Sequence, residues 1–250
     1  MAGTIGGIYS GVAKNVNLIS VRVLDKWGGG SYAGTIAAIE KVIEAVKSSG
    51  RPSIVNLSLG GPISDALNIA VNDASDLDNL IFVVAAGNSN EDACNISPAS
   101  AKKAFTVASV DSSPKRSSFS NYGKCVNIFG PGDDIKSADI DSVSDYRVRG
   151  GTSMASPHVV GALALYWERY PGKKAKRIIN KLLNAAVNDT IDGLQDTNTP
   201  NMLVSTEQLL RRRTNCSSID EFCLHNTDCC NGNATSTGCQ NNKCVEHHFF

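Results

Sequence analysis

Apolar side chains recur along the first two-thirds of the chain in two rhythms that take turns. Leu18 to Leu24 alternates apolar and polar positions as a strand does. Ile36, Ile39, Ile43 and Val46 then recur at helical spacing with Val42 beside them, and Gly50-Arg51-Pro52 stops that helix. Ser53 to Leu59 reads as a strand and Ala66 to Ala74 as a short helix. Leu80 to Ala85 is a continuous apolar run of the kind a buried parallel strand shows. Phe105 to Val110 and Val126 to Phe129 are further short strands. A helix from Ser153 to about Tyr170 is apolar on every face from Val159 to Leu165, as a buried helix should be, and Pro171-Gly172 ends it. Lys173 to Val187 is amphipathic, with Ile178, Ile179, Leu182, Leu183 and Ala186 on one side. Strand and helix in alternation predict an α/β fold: a mainly parallel sheet with helices on both faces.

After about Arg213 the apolar periodicity stops, and Cys, Asn, Ser and Thr take over. The expected organisation is one α/β domain over 1–205, a linker over 206–214 and a small disulfide-rich module over 215–250. Leu209-Leu210-Arg211-Arg212-Arg213 marks the end of the domain, and its basic triplet reads as solvated surface before it reads as a processing site.

The chemistry concentrates in Gly151-Thr152-Ser153-Met154-Ala155-Ser156-Pro157-His158. Ser153 follows a tight Gly-Thr turn and opens the buried helix. Unpaired backbone N–H groups and the positive end of the helix dipole point at that spot. A hydroxyl there can attack a carbonyl, and its own N–H can help hold the resulting oxyanion. A lone serine before a helix would be read as an N-cap, and Asn88 after Gly87 as an ordinary turn residue.

The octapeptide resembles the nucleophile motif of subtilisin-like serine proteases, the proteinase K branch in particular. Other motifs of that family follow in its order. Met1-Ala2-Gly3-Thr4-Ile5-Gly6-Gly7 is similar to the segment after the catalytic histidine, and Asn56-Leu57-Ser58-Leu59-Gly60-Gly61 to the substrate-binding strand. Val84-Ala85-Ala86-Gly87-Asn88 is similar to the oxyanion-hole turn. Ser97-Pro98-Ala99, Ser118-Phe119-Ser120-Asn121-Tyr122-Gly123 and Phe129-Gly130-Pro131-Gly132 complete the series, which covers roughly Met1 to Ser205.

The resemblance implies a subtilisin-like fold, with Ser153 as acyl-forming nucleophile and Asn88 as oxyanion donor. It implies an extended peptide lying between two exposed backbone edges, Ser58-Leu59-Gly60 and Gly28-Gly29-Gly30, and held by main-chain hydrogen bonds. From spacing alone, Gly28-Gly29-Gly30 reads equally as a flexible loop. Ala85-Ala86-Gly87 would wall a primary pocket with room for a bulky apolar side chain. The expected activity is endopeptidase action of broad specificity on protein or peptide substrates. The family's histidine and aspartate have no counterpart in the chain, whose histidines are His158, His225, His247 and His248. Met1 is therefore expected to be an internal methionine of a longer protease, and hydrolysis by these residues alone is expected near background. Two rival expectations are a secreted protein that holds peptides without cutting them and an inhibitor or targeting module in the tail.

Charge narrows the partners. With 24 basic and 24 acidic residues, the chain carries no net field for nucleic acid or an anionic membrane. It has no apolar run long enough for a transmembrane helix. No signal peptide is visible at Met1. A monomer is expected, with an inhibitory pro-region allowed by the resemblance. No cofactor is required. Structural calcium is implied by the family without assigned ligands, since the position matched to a calcium carboxylate holds Asn127.

Eight cysteines change the compartment. Cys216, Cys223, Cys229, Cys230, Cys239 and Cys244 crowd the tail, and such density implies an oxidising, secretory route. Sequons at Asn95, Asn188, Asn215 and Asn233 agree with it, whereas the one at Asn56 falls on a predicted buried strand. Cys94 and Cys125 are expected to be joined, two separate buried thiols being the alternative. Six tail cysteines allow fifteen pairings. Their spacing resembles the inhibitor cystine knot, which implies Cys216 with Cys230, Cys223 with Cys239 and Cys229 with Cys244.

Overall fold

The computed structural model describes residues 1–140, 145–194 and 198–211. The chain divides into two compact units, Met1–Ser205 and Thr206–Phe250. The elements of the first unit, in chain order, begin with α1 (Ala2–Gly6), α2 (Tyr32–Ser49), β1 (Ser53–Leu57), β2 (Gly61–Pro62) and α3 (Asp65–Ala74). They continue with β3 (Leu80–Ala85), β4 (Ile96–Ser97), β5 (Phe105–Val110), β6 (Ile128–Pro131), β7 (Ile135–Ala138) and β8 (Tyr146–Arg149). The unit closes with α4 (Thr152–Arg169), α5 (Ala175–Leu183), β9 (Val187–Asn188) and β10 (Met202–Leu203). In the second unit the described residues form α6 (Glu207–Arg211).

The main sheet runs β1-β3-β5-β6-β10-β9. All neighbours pair in parallel except β9, which lies antiparallel to β10. β3 and β5 are buried at every residue, as a parallel strand covered on both faces must be. Alternation splits their side chains between two layers. Phe82, Val84, Ala108, Val110 and Phe129 join Ile39 and Val46 of α2 and Leu67 and Val71 of α3 in one core cluster. On the other face α4 crosses β1, β3, β5 and β6, with α1 and α5 packed against it. Val83, Val107, Ile128, Val159 and Leu163 are fully buried. α4 has to be apolar all round because it is enclosed between sheet and helices.

Local signals account for the helix ends. Ser31 caps α2 by accepting from Gly34 N at 3.0 Å, and Ser64 caps α3 by accepting from Leu67 N. Ser31 is exposed, so Ser31→Ala tests the cap without disturbing the core. It is expected to lower unfolding free energy by about 1 kcal/mol, read as a shift in the urea midpoint at unchanged slope.

Two expectations are corrected. Leu18 to Leu24 forms no strand, and Ile19 is 86% exposed. Alternation marks a face, but a strand needs a neighbour to take its backbone hydrogen bonds, and among the described residues β1 pairs with β3 alone. The amphipathic stretch from Lys173 is helical only to Leu183, because Val187 and Asn188 leave it to pair with β10. No described helix is long and apolar enough to cross a membrane. The six tail cysteines and their expected pairings lie outside the described residues.

Candidate functional site

Four segments converge on the N-terminus of α4. Gly151, at φ 147°, is its N-cap residue, and its N–H donates to Gly132 O at 2.7 Å. A Cβ at Gly151 would stand 3.4 Å from Asn88 Nδ2, so the asparagine amide passes directly over it. Ser153 is the second residue of the helix. Met154 N and Ala155 N both turn back to Gly151 O, and Thr152 N donates to Asn88 Oδ1 at 2.8 Å. Ser153 N is left as a first-turn donor without a helical acceptor.

The orientation of Asn88 follows from chemistry. Thr152 N–H can only donate, so the atom facing it must be the amide oxygen. Thr152 Oγ1 donates to the same Oδ1 at 2.8 Å and accepts from Gly87 N at 3.1 Å. Thr152 is fully buried, whereas Asn88 is exposed. With Oδ1 held twice by Thr152, Nδ2 is the end left over, and it lies with Ser153 N within 4 Å of where a Gly151 Cβ would stand. The start of α4 therefore carries two N–H groups, Asn88 Nδ2 and Ser153 N, close to each other.

The hydroxyl itself points at the substrate-strand candidate. Ser153 Oγ donates to Ser58 O at 3.3 Å, and Ser58 Oγ donates to Ser153 O at 2.9 Å. The second bond has a covalent cause. Pro157 lies four residues after Ser153 and lacks the N–H that would close that turn of helix. The carbonyl of Ser153 is thus free, and Ser58 occupies it. Asn56 steadies Ser58 by donating Nδ2 to its Oγ at 2.9 Å, while Asn56 Oδ1 accepts from Ser156 Oγ at 2.8 Å. Both ends of the Asn56 amide are therefore engaged inside the site.

Ser58, Leu59 and Gly60 continue beyond β1 with their exposure rising along the segment. Ala85 and Ala86 are buried at the end of β3, and Gly87 turns there at φ 100°. Gly28, Gly29 and Gly30 are exposed in a turn organised by Asp25, whose Oδ1 accepts from Trp27 N and Gly29 N. No hydrogen bond among the described residues ties that turn to Ser58–Gly60. Cys94 and Cys125 form a disulfide linking the turn after the Asn88 loop to the segment before β6.

His158 is the one histidine among the described residues. Its Nδ1 is bonded to Met154 O at 2.9 Å, and burial pushes its pKa down against hydrogen bonds to the Met154 and Pro131 carbonyls. It is a packed imidazole held by carbonyls, engaged away from the Ser153 hydroxyl. Asn127 Oδ1 accepts from Thr106 N at 2.7 Å, which ties β5 to the start of β6. Among the described residues no three His, Cys, Asp or Glu side chains cluster to hold a metal.

Thr152, Asn56, Ser156 and Pro157 are site residues that spacing alone did not single out. Only Pro157 left a signal, because a proline inside a helical pattern orphans the carbonyl four residues earlier.

The profile of the subtilase family matches residues 1–208. The alkaline serine exoprotease A of Vibrio alginolyticus is 48% identical over 194 residues, covering 76% of this chain and 35% of that protein. The extracellular serine proteinase of Thermus sp. (strain Rt41A) is 43% identical over 206 residues, covering 82% of this chain and 49% of that protein. The chain thus spans at most about half the length of these relatives. The crystal structure of a cold adapted subtilisin-like serine proteinase superposes with a TM-score of 0.74 at 45% identity, covering 81% of this chain and 71% of that one.

Proposed function

This chain belongs to the subtilase family, and from that premise we propose that it provides the nucleophile, oxyanion hole and substrate edge of a secreted serine endopeptidase. The observation that carries the reading is the Asn88 amide: Thr152 holds its oxygen, and Nδ2 lies together with Ser153 N at the start of α4, both within 4 Å of where a Gly151 Cβ would stand.

Ser153 Oγ attacks the scissile carbonyl carbon, and the C–O bond forms as the carbonyl π pair moves onto oxygen. Ser153 N–H and Asn88 Nδ2 hold that oxyanion. Collapse breaks the C–N bond, the amine departs with the proton taken from Oγ, and water then hydrolyses the ester. An extended peptide adds as a strand to Ser58-Leu59-Gly60, so recognition is mostly of backbone and the specificity broad. Ala85-Ala86-Gly87 leaves space for a bulky apolar side chain on the acyl side of the cut.

The step that needs outside help is proton removal. His158 is held by carbonyls, and no other imidazole is among the described residues. Hydrolysis by this chain alone is therefore expected near background. That same observation favours a second reading, a cleft that holds peptides without cutting them.

Chemical rescue separates the two. Free imidazole should accelerate labelling by an uncharged fluorophosphonate, with a single adduct on Ser153 that is absent in Ser153→Ala. An adduct elsewhere, or no imidazole dependence beyond that of Ser153→Ala, overturns the endopeptidase reading.

A further inference from the structure

Asn121 lies 33 residues along the chain from Asn88, is wholly buried, and has an amide nitrogen with no hydrogen-bond partner among the described residues. A buried amide with one idle end calls for an explanation. Its side-chain oxygen and its backbone N–H are both committed to the loop that carries Asn88. Oδ1 accepts from Ser89 N at 3.0 Å and from Glu91 N at 3.1 Å. The backbone N of Asn121 donates to Gly87 O at 3.0 Å. One residue thus grips the chain immediately before Asn88, immediately after it and again two residues later. Asn90, which sits in the left-handed region at φ 55°, donates its N–H to Phe119 O at 2.9 Å. A Cβ at Gly87 would collide with Asn121 Nδ2, so the two residues are in direct contact.

The gripping segment is itself anchored. Arg116 is buried, and its guanidinium donates to Gly193 O, Ser117 O and Ser120 O while lying over the Tyr122 ring. Ser120 Oγ accepts from Ser109 N of β5 and donates to Asn121 O. Asn121 is therefore fixed to the central sheet, and through it the Asn88 loop is fixed as well. Thr152 holds the Asn88 side chain from one direction, but nothing on α4 holds the backbone of residues 89–91.

We infer that Asn121 is a positioning residue for the oxyanion hole, acting through its Oδ1 on the Ser89 and Glu91 amides to keep Asn88 Nδ2 aimed beside Ser153. This rests on the serine-acylation reading above. The oxygen makes both side-chain hydrogen bonds described for Asn121, so a carboxyl group of the same shape should serve.

The test uses the full chain, with a p-nitrophenyl ester of an N-acylated phenylalanine as substrate, imidazole present, and amide hydrogen exchange as a second readout. Asn121→Ala is expected to lower kcat about tenfold with KM within twofold. Exchange should rise at Ser89 and Glu91 while the α5 amides stay protected. Asn121→Asp should restore both the exchange protection and most of kcat. The inference is overturned if Asn121→Ala leaves kcat within twofold, if protection falls throughout the fold, or if Asn121→Asp rescues neither readout. A rate loss in Asn88→Ala with none in Asn121→Ala sinks the clamp alone. No rate loss in Asn88→Ala sinks the oxyanion reading, even where exchange at Ser89 still reports the grip.

Discussion

Asn88→Ala is expected to slow imidazole-assisted acylation of Ser153 by about two to three powers of ten. The size follows from what the side chain does. Charge develops on the carbonyl oxygen only as the tetrahedral species forms, so a donor already aimed there stabilises the transition state more than the ground state. The proposed hole has two donors, Ser153 N and Asn88 Nδ2, and alanine removes one of them. Water is a poor substitute because it must be oriented at the moment of reaction, whereas Thr152 has oriented the amide in advance at 2.8 Å from both of its own donors. Thr152→Val makes a graded companion. It keeps the backbone N–H on Oδ1 but removes the hydroxyl, so Gly87 N loses its acceptor. A loss near tenfold is expected, between wild type and Asn88→Ala. Initial acylation rates over a range of ester concentrations decide the matter. If Asn88→Ala keeps its rate within threefold, the oxyanion is held by something other than this side chain.

Much of this site can be read from the chain without coordinates, but the readable part is local. Ser153 and Asn88 each stand at a junction the pattern marks, one where an all-apolar helix begins and one where a buried strand ends in Gly87. The helix formed by Ile36, Ile39, Ile43 and Val46 and the strand Leu80–Ala85 are equally visible, since the helix gathers these large apolar residues on the face that packs against the core and the strand is buried at every residue. Leu18 to Leu24 misled because alternation specifies which side chains share a face and says nothing about which backbone will pair with them. The groups that make the site rigid act across sequence. Thr152 reaches Asn88, Ser58 reaches the carbonyl that Pro157 leaves free, and Asn121 reaches Ser89. Each of these bonds joins segments that only the folding of β1, β3 and β5 into one sheet brings together, and no periodicity encodes that meeting.

Replacing both Cys94 and Cys125 by Ala is expected to lower stability by about 3–4 kcal/mol. The bridge closes a loop with a sequence separation of 31 residues, and the chain entropy removed from the unfolded ensemble by closing such a loop sets that scale. For a domain of this size the apparent melting temperature should fall by roughly 10 °C. The native state should change little, because backbone hydrogen bonds already zip the same two segments together. Ala93 N donates to Tyr122 O at 2.8 Å, Tyr122 N to Glu91 O at 3.1 Å, and Asn90 N to Phe119 O at 2.9 Å. Cys125 also packs against the main core cluster, and alanine keeps that contact apolar. The effect should therefore enter through the unfolded chain, with exchange protection at Ser89 retained at temperatures well below the transition. Denaturant unfolding of the double variant against the oxidised protein gives the number, and a change under about 1 kcal/mol would mean that the loop is already constrained before folding. A fall in stability accompanied by early loss of protection at Ser89 and Glu91 would instead make the disulfide part of the native support for Asn88, because the loop that Asn121 grips would then depend on the bridge beneath it.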